Sequence, residues 1–240
     1  MRADQFLVSQ GYFESRAKAQ AAIKAGKVKV NGALIRKASQ SIPDGAQVQA
    51  EAAYAWVSRA GLKLQAALEH FKISVSNRIC LDIGASTGGF SDVLLTNGAQ
   101  KIYAIDVGSG QLHPKLAADP RLISMEKTDA RQITPDMFDP LPDMIVCDAS
   151  FISLSKVIER PLSLMPDGSE AILLFKPQFE VGPDHISKAG IVKHPQVSDQ
   201  AFCQFQLWLS AQGWTFRDSC PSPIKGGDGN VEFLCYGKKL

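Results

Sequence analysis

Leu81-Asp82-Ile83-Gly84-Ala85-Ser86-Thr87-Gly88-Gly89-Phe90 decides how this chain folds. An apolar run with a carboxylate near its end passes through a glycine-rich turn into a helical pattern, Phe90–Asn97. Such a turn lets backbone come close to a ligand, because glycine carries no Cβ. Read outward, the alternation repeats. Strands are predicted at Arg78–Ile83, Lys101–Asp106, Arg121–Glu126, Asp143–Asp148, Glu170–Lys176, Trp214–Cys220 and Val231–Gly237. Helical patterns, among them Ser153–Leu164 and Gln196–Gln212, separate most of them. Seven strands with helical crossovers predict an α/β fold with a doubly wound, mainly parallel, Rossmann-like sheet. The last two strands have no helix between them, so an antiparallel edge hairpin is expected. Ligands of such sheets bind beyond the carboxyl ends of the strands, so the chemistry is sought there.

The turn is not a dinucleotide fingerprint, because Ser86 stands where G-x-G-x-x-G needs its second glycine. Asp82 would repel a pyrophosphate, and Asp106 ends the second strand where ribose hydroxyls need an acceptor. A ligand with a ribose, an amino group and no phosphate suits these carboxylates; S-adenosylmethionine is such a ligand. Asp129, after the third strand, is placed to accept from an adenine amino group. The expected cofactor residues are Asp82, Gly84, Ala85, Ser86, Thr87, Gly88, Gly89, Phe90, Asp106, Val107, Asp129, Ala130 and Asp148. A nucleotide-phosphate site and a purely structural glycine turn are the alternatives.

The fourth strand ends Ile145-Val146-Cys147-Asp148-Ala149-Ser150-Phe151. It lacks the prolines of enzymes that methylate exocyclic amines. Cys147 sits one residue too early for a cytosine-C5 nucleophile and reads as a packing residue. What remains there is a bare carboxylate, Asp148. The fifth strand ends Leu174-Phe175-Lys176, and a lysine after four apolar residues points into cleft or core, unless it snorkels to solvent. Glu232 opens the last strand after the loop Gly226-Gly227-Asp228-Gly229-Asn230. Ser58 is the expected cap of a helix with an apolar face of Ala60, Leu64, Ala67, Leu68 and Phe71. Lys63 lies off that face, where a solvated lysine is the default.

Residues 1–50 have a different character. They hold eight Lys/Arg and three Asp/Glu, a net of +5, whereas residues 51–240 carry −3; the total of +2 hides this split. Helices are predicted at Asp4–Gln10 and, capped by Ser15, through Ala25. Lys27-Val28-Lys29-Val30 alternates as a half-buried strand should, Asn31-Gly32 is a hairpin signal, and Gln47–Glu51 is a further strand. This is a small α+β head. Its basic side chains Arg16, Lys18, Lys24, Lys27, Lys29, Arg36 and Lys37 suit a polyanion, and Arg59, Lys188 and Lys193 add to them from the body. The expected boundaries are a head at 1–52, a linker at 53–57 and a body at 58–240. Tyr54 and Trp56 in the linker either dock the head or touch the nucleic acid.

Composition closes several classes. At 45% hydrophobic and 21% charged, 240 residues read as an ordinary globular protein of about one and a half domains, neither disordered nor collagen-like. Five cysteines with no C-x-x-C pair, and four unclustered histidines, predict neither a disulfide framework nor a metal site. The N-terminus shows no signal-peptide pattern, and the longest strongly apolar run, Ala171–Phe175, is far short of a membrane span. The expected compartment is the cytoplasm, with no membrane partner. Composition says nothing about oligomeric state.

Two resemblances sharpen this reading. Ser15-Arg16-Ala17-Lys18-Ala19 through Ala25-Gly26-Lys27-Val28-Lys29-Val30-Asn31-Gly32 resembles the αL-type RNA-binding domain, which implies structured RNA as its ligand. V-S-R-A-G-L-K-L (57–64), L-D-I-G-A-S-T-G-G-F-S-D-V-L-L (81–95), D-A-S-F-I-S-L (148–154), K-P-Q-F-E-V-G (176–182) and G-N-V-E-F-L (229–234) resemble the TlyA family along essentially the whole chain. That family joins such a head to an FtsJ-like methyltransferase, and some members are labelled hemolysins. The resemblance implies S-adenosylmethionine-dependent 2′-O-methylation of cytidine in ribosomal RNA, with a Lys-Asp-Lys-Glu tetrad at Lys63, Asp148, Lys176 and Glu232. The chain stops eight residues after Glu232, as in the family's shorter type, which implies the large subunit as partner. Asp129 stands where some members have Asn; either can accept from an adenine amine. The expected roles, argued from the weak acidity of a ribose hydroxyl, are Lys176 as base, Lys63 as neighbouring cation, Asp148 orienting Lys176 and balancing charge, and Glu232 pairing with Lys63 and holding the ribose. A non-catalytic ribosome-binding factor and a membrane-active hemolysin are the competing readings.

Overall fold

The helix expected to be capped by Ser15 does begin there: the Ser15 Oγ accepts from the Lys18 backbone N–H at 3.3 Å. A computed structural model describes residues 1–240, which divide into two compact units, Met1–Ser58 and Arg59–Leu240. In the first, α1 (Ala3–Ser9) and α2 (Arg16–Lys24) pack on an antiparallel sheet of β1 (Val28–Val30), β2 (Ala33–Leu34) and β3 (Val48–Ala50), with β1 central. Asn31 and Gly32 take the positive φ that the β1–β2 hairpin requires. Leu7, Ala19, Ala22, Ile23, Val28, Ile35 and Ile42 form the small core. Asp4 is fully buried beside it, accepting from Arg2, Arg16 and Gln20.

The second unit runs α3 (Ala60–Phe71), β4 (Ile79–Ile83), α4 (Gly89–Thr96), β5 (Lys101–Asp106), α5 (Pro114–Ala117), β6 (Leu122–Glu126), β7 (Met144–Cys147), α6 (Leu154–Leu164), β8 (Glu170–Phe175), α7 (Pro195–Ala211), β9 (Trp214–Pro221) and β10 (Phe233–Lys239). All seven predicted strands are present, in the order β6-β5-β4-β7-β8-β10-β9. The five strands from β6 to β8 are parallel, and β10 is antiparallel to both neighbours, which makes β9–β10 the expected edge hairpin. β4 and β7 are buried on both faces, as central parallel strands must be. One layer of the core joins Leu81, Ile83, Ile145 and Leu173 to Val157, Ile158 and Leu162 of α6.

Chain order reverses at β4, with β5 on one side and β7 on the other, so the crevice opens at their carboxyl ends. Two local expectations fail. Arg59, rather than Ser58, holds the N-cap position of α3, and no side chain caps that helix. Lys63 is 6% exposed, so the solvated default does not describe it.

Candidate active site

A cleft of about 510 Å³ lies at the carboxyl ends of β4, β5 and β7. Its floor is the glycine turn. Gly84 has φ +77°, and a Cβ there would stand 3.0 Å from the Ala149 Cα, so the turn and the loop after β7 meet only because this residue is glycine. Asp106 ties the turn down: Oδ2 accepts from the Ser86 N–H at 2.8 Å and Oδ1 from the Gly108 N–H at 2.7 Å. Each carboxylate oxygen keeps a further lone pair for a ligand hydroxyl.

Of the expected cofactor residues, Gly84, Ser86, Asp106, Val107, Asp129, Ala130 and Asp148 line the cleft. Ala85 and Thr87 do not; Gly88, Gly89 and Phe90 lie in the core instead, because the first turn of α4 points inward, and Asp82, within β4, turns toward Ser91 of that helix. Gly88 is set by packing, since a Cβ there would strike Leu116 Cδ1 at 2.2 Å. Asp82 is fully buried. Its Oδ2 accepts from Ser91 Oγ at 2.6 Å, its Oδ1 has no partner, and burial pushes its carboxyl up to about 7. The Asp129 carboxylate is bound by Arg131 through Nε and Nη2 at 3.0 and 2.6 Å, and this pairing lowers its pKa. Arg131 is the one cationic side chain lining the cleft, so no unpaired cation faces a phosphate there.

Beside the cleft, four charged side chains from distant parts of the sequence meet. Lys63 comes from the first turn of α3; Asp148 and Lys176 each follow a strand by one residue. Glu232 precedes β10, whose antiparallel insertion beside β8 returns the chain to this end of the sheet. Lys63 Nζ is 2.8 Å from Glu232 Oε2 and 3.5 Å from Asp148 Oδ2, and Lys176 Nζ is 2.6 Å from Asp148 Oδ1. The result is a chain of alternating charge, Glu232–Lys63–Asp148–Lys176, buried except at Asp148, which opens onto the cleft. Gly226 makes room for it, because a Cβ there would lie 2.6 Å from Glu232 Oε1. Cys147 stands just behind with its thiol pushed up to about 12 by burial, so it offers no thiolate, and Cys80 and Cys235 are likewise buried.

Three neighbours escaped the sequence reading. Ser150 Oγ accepts from Lys176 Nζ at 2.7 Å. Phe151 is 92% exposed at φ +65°, with its ring 5.4 Å from Phe179. Glu180 accepts from the Leu154 N–H at 2.7 Å and from Ser153 Oγ at 2.8 Å, capping α6 from another loop while burial raises its pKa. The faint signal was position: D-A-S-F and K-P-Q-F-E are the loops that follow adjacent strands. No group of three His, Cys, Asp or Glu residues is placed to hold a metal.

The expected RNA contacts divide. Arg16 is engaged by Asp4 through Nε and Nη2, Lys18 by Glu14 and Lys27 by Glu51. Lys24, Lys29, Arg36, Lys37, Arg59 and Lys188 are exposed, and the Lys193 Nζ donates to the Asp184 carbonyl.

Residues 56–239 match the FtsJ-like methyltransferase family. The chain belongs to that family. Residues 1–48 match the S4 domain, so the FtsJ-like unit is preceded by an S4 head. Hemolysin A of Brachyspira hyodysenteriae is 42% identical over 98% of this chain and 99% of its own. The 16S/23S rRNA (cytidine-2′-O)-methyltransferase TlyA of Mycobacterium tuberculosis is 39% identical over 98% of this chain and 88% of its own. The 23S rRNA (cytidine-2′-O)-methyltransferase TlyA of Campylobacter jejuni is 42% identical over 75% of this chain and 70% of its own. A solved structure described as a candidate hemolysin from Streptococcus thermophilus superposes with a TM-score of 0.79 at 39% identity, covering 100% of this chain and 88% of that one. No helix of this FtsJ-like protein is long and apolar enough to cross a membrane.

Proposed function

We propose that this protein is a cytoplasmic S-adenosylmethionine-dependent methyltransferase acting on the ribose 2′-hydroxyl of a cytidine in ribosomal RNA. The observation that carries the reading is the Glu232–Lys63–Asp148–Lys176 chain beside a cleft floored by a glycine turn. A binding module has no use for three buried charges and a partly exposed fourth in alternation, which cost desolvation energy to assemble.

The cleft fits the methyl donor. Asp106 presents ribose acceptors, and its carboxylate, held by backbone N–H groups, supplies acidic charge that suits a cationic ligand, whereas Asp129 is paired with Arg131 and Asp148 with two lysines. Arg131 is occupied by Asp129, which disfavours a nucleotide-phosphate ligand. Gly84, Ser86, Asp106, Val107, Asp129 and Ala130 would hold S-adenosylmethionine, which supplies a methyl group activated on a sulfonium. The chain's residues do the rest. A ribose hydroxyl is a very weak acid and needs a positioned base as it attacks. Lys176 takes the proton. Asp148 orients it and balances its charge, Lys63 shares Asp148 from the other side, and Glu232 holds Lys63.

The proposed division is an RNA-binding head at 1–52, a linker at 53–57 and a methyltransferase body at 58–240; the two compact units and the two family matches support it. Within the head, the exposed Lys24, Lys29, Arg36 and Lys37 are the phosphate contacts. Large-subunit rRNA is the first target, on the strength of the Campylobacter jejuni relative's name. Incubating the protein with labelled methyl donor and each isolated ribosomal subunit, then mapping the modified nucleotide, tests the whole reading. Label on a cytidine ribose is expected. No incorporation into either subunit refutes it, and full single-turnover activity in Lys176→Ala refutes the base assignment.

A further inference from the structure

The buried lysine does not reach the cleft directly. Lys176 is 5% exposed and does not line the cavity, and its Nζ faces three acceptors: Asp148 Oδ1 at 2.6 Å, Ser150 Oγ at 2.7 Å and the Asp148 carbonyl at 3.3 Å. An ammonium carries three hydrogens, so this set is complete. Two of the three acceptors belong to Asp148. The Asp148 carboxylate lines the cleft, yet its oxygens face Lys176 and Lys63, and its carbonyl cannot pass a proton on. Ser150 is different. It is exposed, it lines the cleft, and a hydroxyl can accept and donate at once.

The geometry points to Ser150 as a catalytic residue, a proton relay between the substrate hydroxyl and Lys176. This deepens the ribose-methylation reading and rests on it. In the reactive state the proton that pointed at Ser150 has left through the Ser150 hydroxyl to water in the cleft, so the serine O–H donates to the free Nζ lone pair. Ser150 Oγ then accepts from the ribose 2′-hydroxyl. As the 2′-oxygen forms its bond to the methyl carbon, the carbon–sulfur bond of the sulfonium donor breaks with its electron pair on sulfur. The hydroxyl proton passes to Ser150 Oγ, and the serine proton passes to Lys176 Nζ. Positive charge leaves the donor and appears on Lys176, where Asp148 Oδ1 already waits at 2.6 Å. Ser150 also explains why a base can be kept almost out of solvent and still act: the relay supplies the last step of reach.

Single-turnover methyl transfer to isolated ribosomal subunits tests this in wild type, Ser150→Ala, Ser150→Thr and Lys176→Ala, with donor affinity measured by calorimetry in each. Ser150→Ala is expected to slow transfer roughly 100-fold, the lower end of general-base effects. Donor affinity should stay within a few-fold, and Ser150→Thr should recover most of the rate. A second readout needs no turnover: the Lys176 Nζ proton resonance, sheltered by three acceptors, should broaden through exchange in Ser150→Ala and sharpen again in Ser150→Thr. A Ser150→Ala rate within twofold of wild type overturns the relay, as does a Ser150→Thr rate no better than that of Ser150→Ala. An inactive wild type with both subunits overturns the ribose-methylation reading instead, so the two failures are told apart.

Discussion

Asp82 gives a pH dependence opposite to that of most carboxylates, and Asp82→Asn isolates it. The side chain is wholly buried at the end of β4, with one hydrogen bond from Ser91 and one oxygen without a partner. Burial is the main cause of its raised pKa, and the negative charges of Asp148 and Asp106 add to it. The carboxyl moves from 3.8 to about 7. Between these values the folded protein holds a proton that the unfolded chain has released, so stability falls as pH rises. At about 1.4 kcal/mol per unit, the wild type should lose about 3 kcal/mol from this group between pH 4.5 and pH 8. Asparagine does not titrate, and every other group is common to both proteins. Urea unfolding of the pair across this range should therefore show the asparagine variant gaining on wild type by about 3 kcal/mol, with the change complete shortly above pH 7. A difference that stays flat across the range refutes the assignment, as does a carboxyl carbon resonance for Asp82 that titrates near pH 4.

Three further outcomes follow from named contacts. Glu232→Leu leaves buried Lys63 with Asp148 alone at 3.5 Å and should lower unfolding stability by about 3–5 kcal/mol; Lys63→Met added to it should restore much of that stability in the same urea assay and no methyl transfer. Glu180→Ala uncaps α6 and should cost about 1–3 kcal/mol by thermal unfolding, and by freeing the Asp148–Ser153 loop it should lower the turnover rate more than it changes RNA affinity; Glu180→Gln, which can still accept from the Leu154 N–H, should recover most of both. In the head, Lys29→Ala with Lys37→Ala should weaken binding to ribosomal RNA and reduce the slope of log affinity against log salt by about 1 for each phosphate no longer neutralised, whereas Lys27→Ala, already paired with Glu51, should change it less.

Much of the architecture is legible in sequence because it is written in local patterns. The β strands announce themselves as short apolar runs, the crossovers as helical periods, and the hairpin as Asn31-Gly32 with both residues at positive φ. The order of strands does not: helical crossovers predict a mainly parallel sheet, and the arrangement β6-β5-β4-β7-β8-β10-β9 appears only in the structure. What cannot be read is direction of burial inside a motif. The glycine-rich stretch reads as facing a ligand throughout, yet α4 begins by turning Gly88, Gly89 and Phe90 into the core, and Asp82 faces Ser91. Likewise, the seven basic residues of the head look equivalent in sequence, but buried Asp4 claims Arg16, and Glu14 and Glu51 claim Lys18 and Lys27. Pairing of this kind depends on which loops fold side by side. A sequence does not show that until the sheet order is known.

The same limit explains why the tetrad needs a family resemblance to be assembled from sequence. Lys63 and Glu232 are 169 positions apart and hydrogen-bond only because β10 inserts antiparallel beside β8. Their chemistry depends on that meeting. A buried lysine beside a single carboxylate would simply stay an ammonium, since the pair attracts too well for the proton to leave. Here Asp148 is shared: Lys63 lies 3.5 Å from one of its oxygens while Lys176 lies 2.6 Å from the other. Each lysine screens the carboxylate from its rival, and the two cations repel each other across it. Glu232 holds Lys63 at 2.8 Å, which fixes the second cation beside Asp148. The four groups thus alternate in sign, and each member has an opposite charge beside it; on the proposed mechanism, that is what lets charge change at Lys176 without stranding a neighbour unpaired.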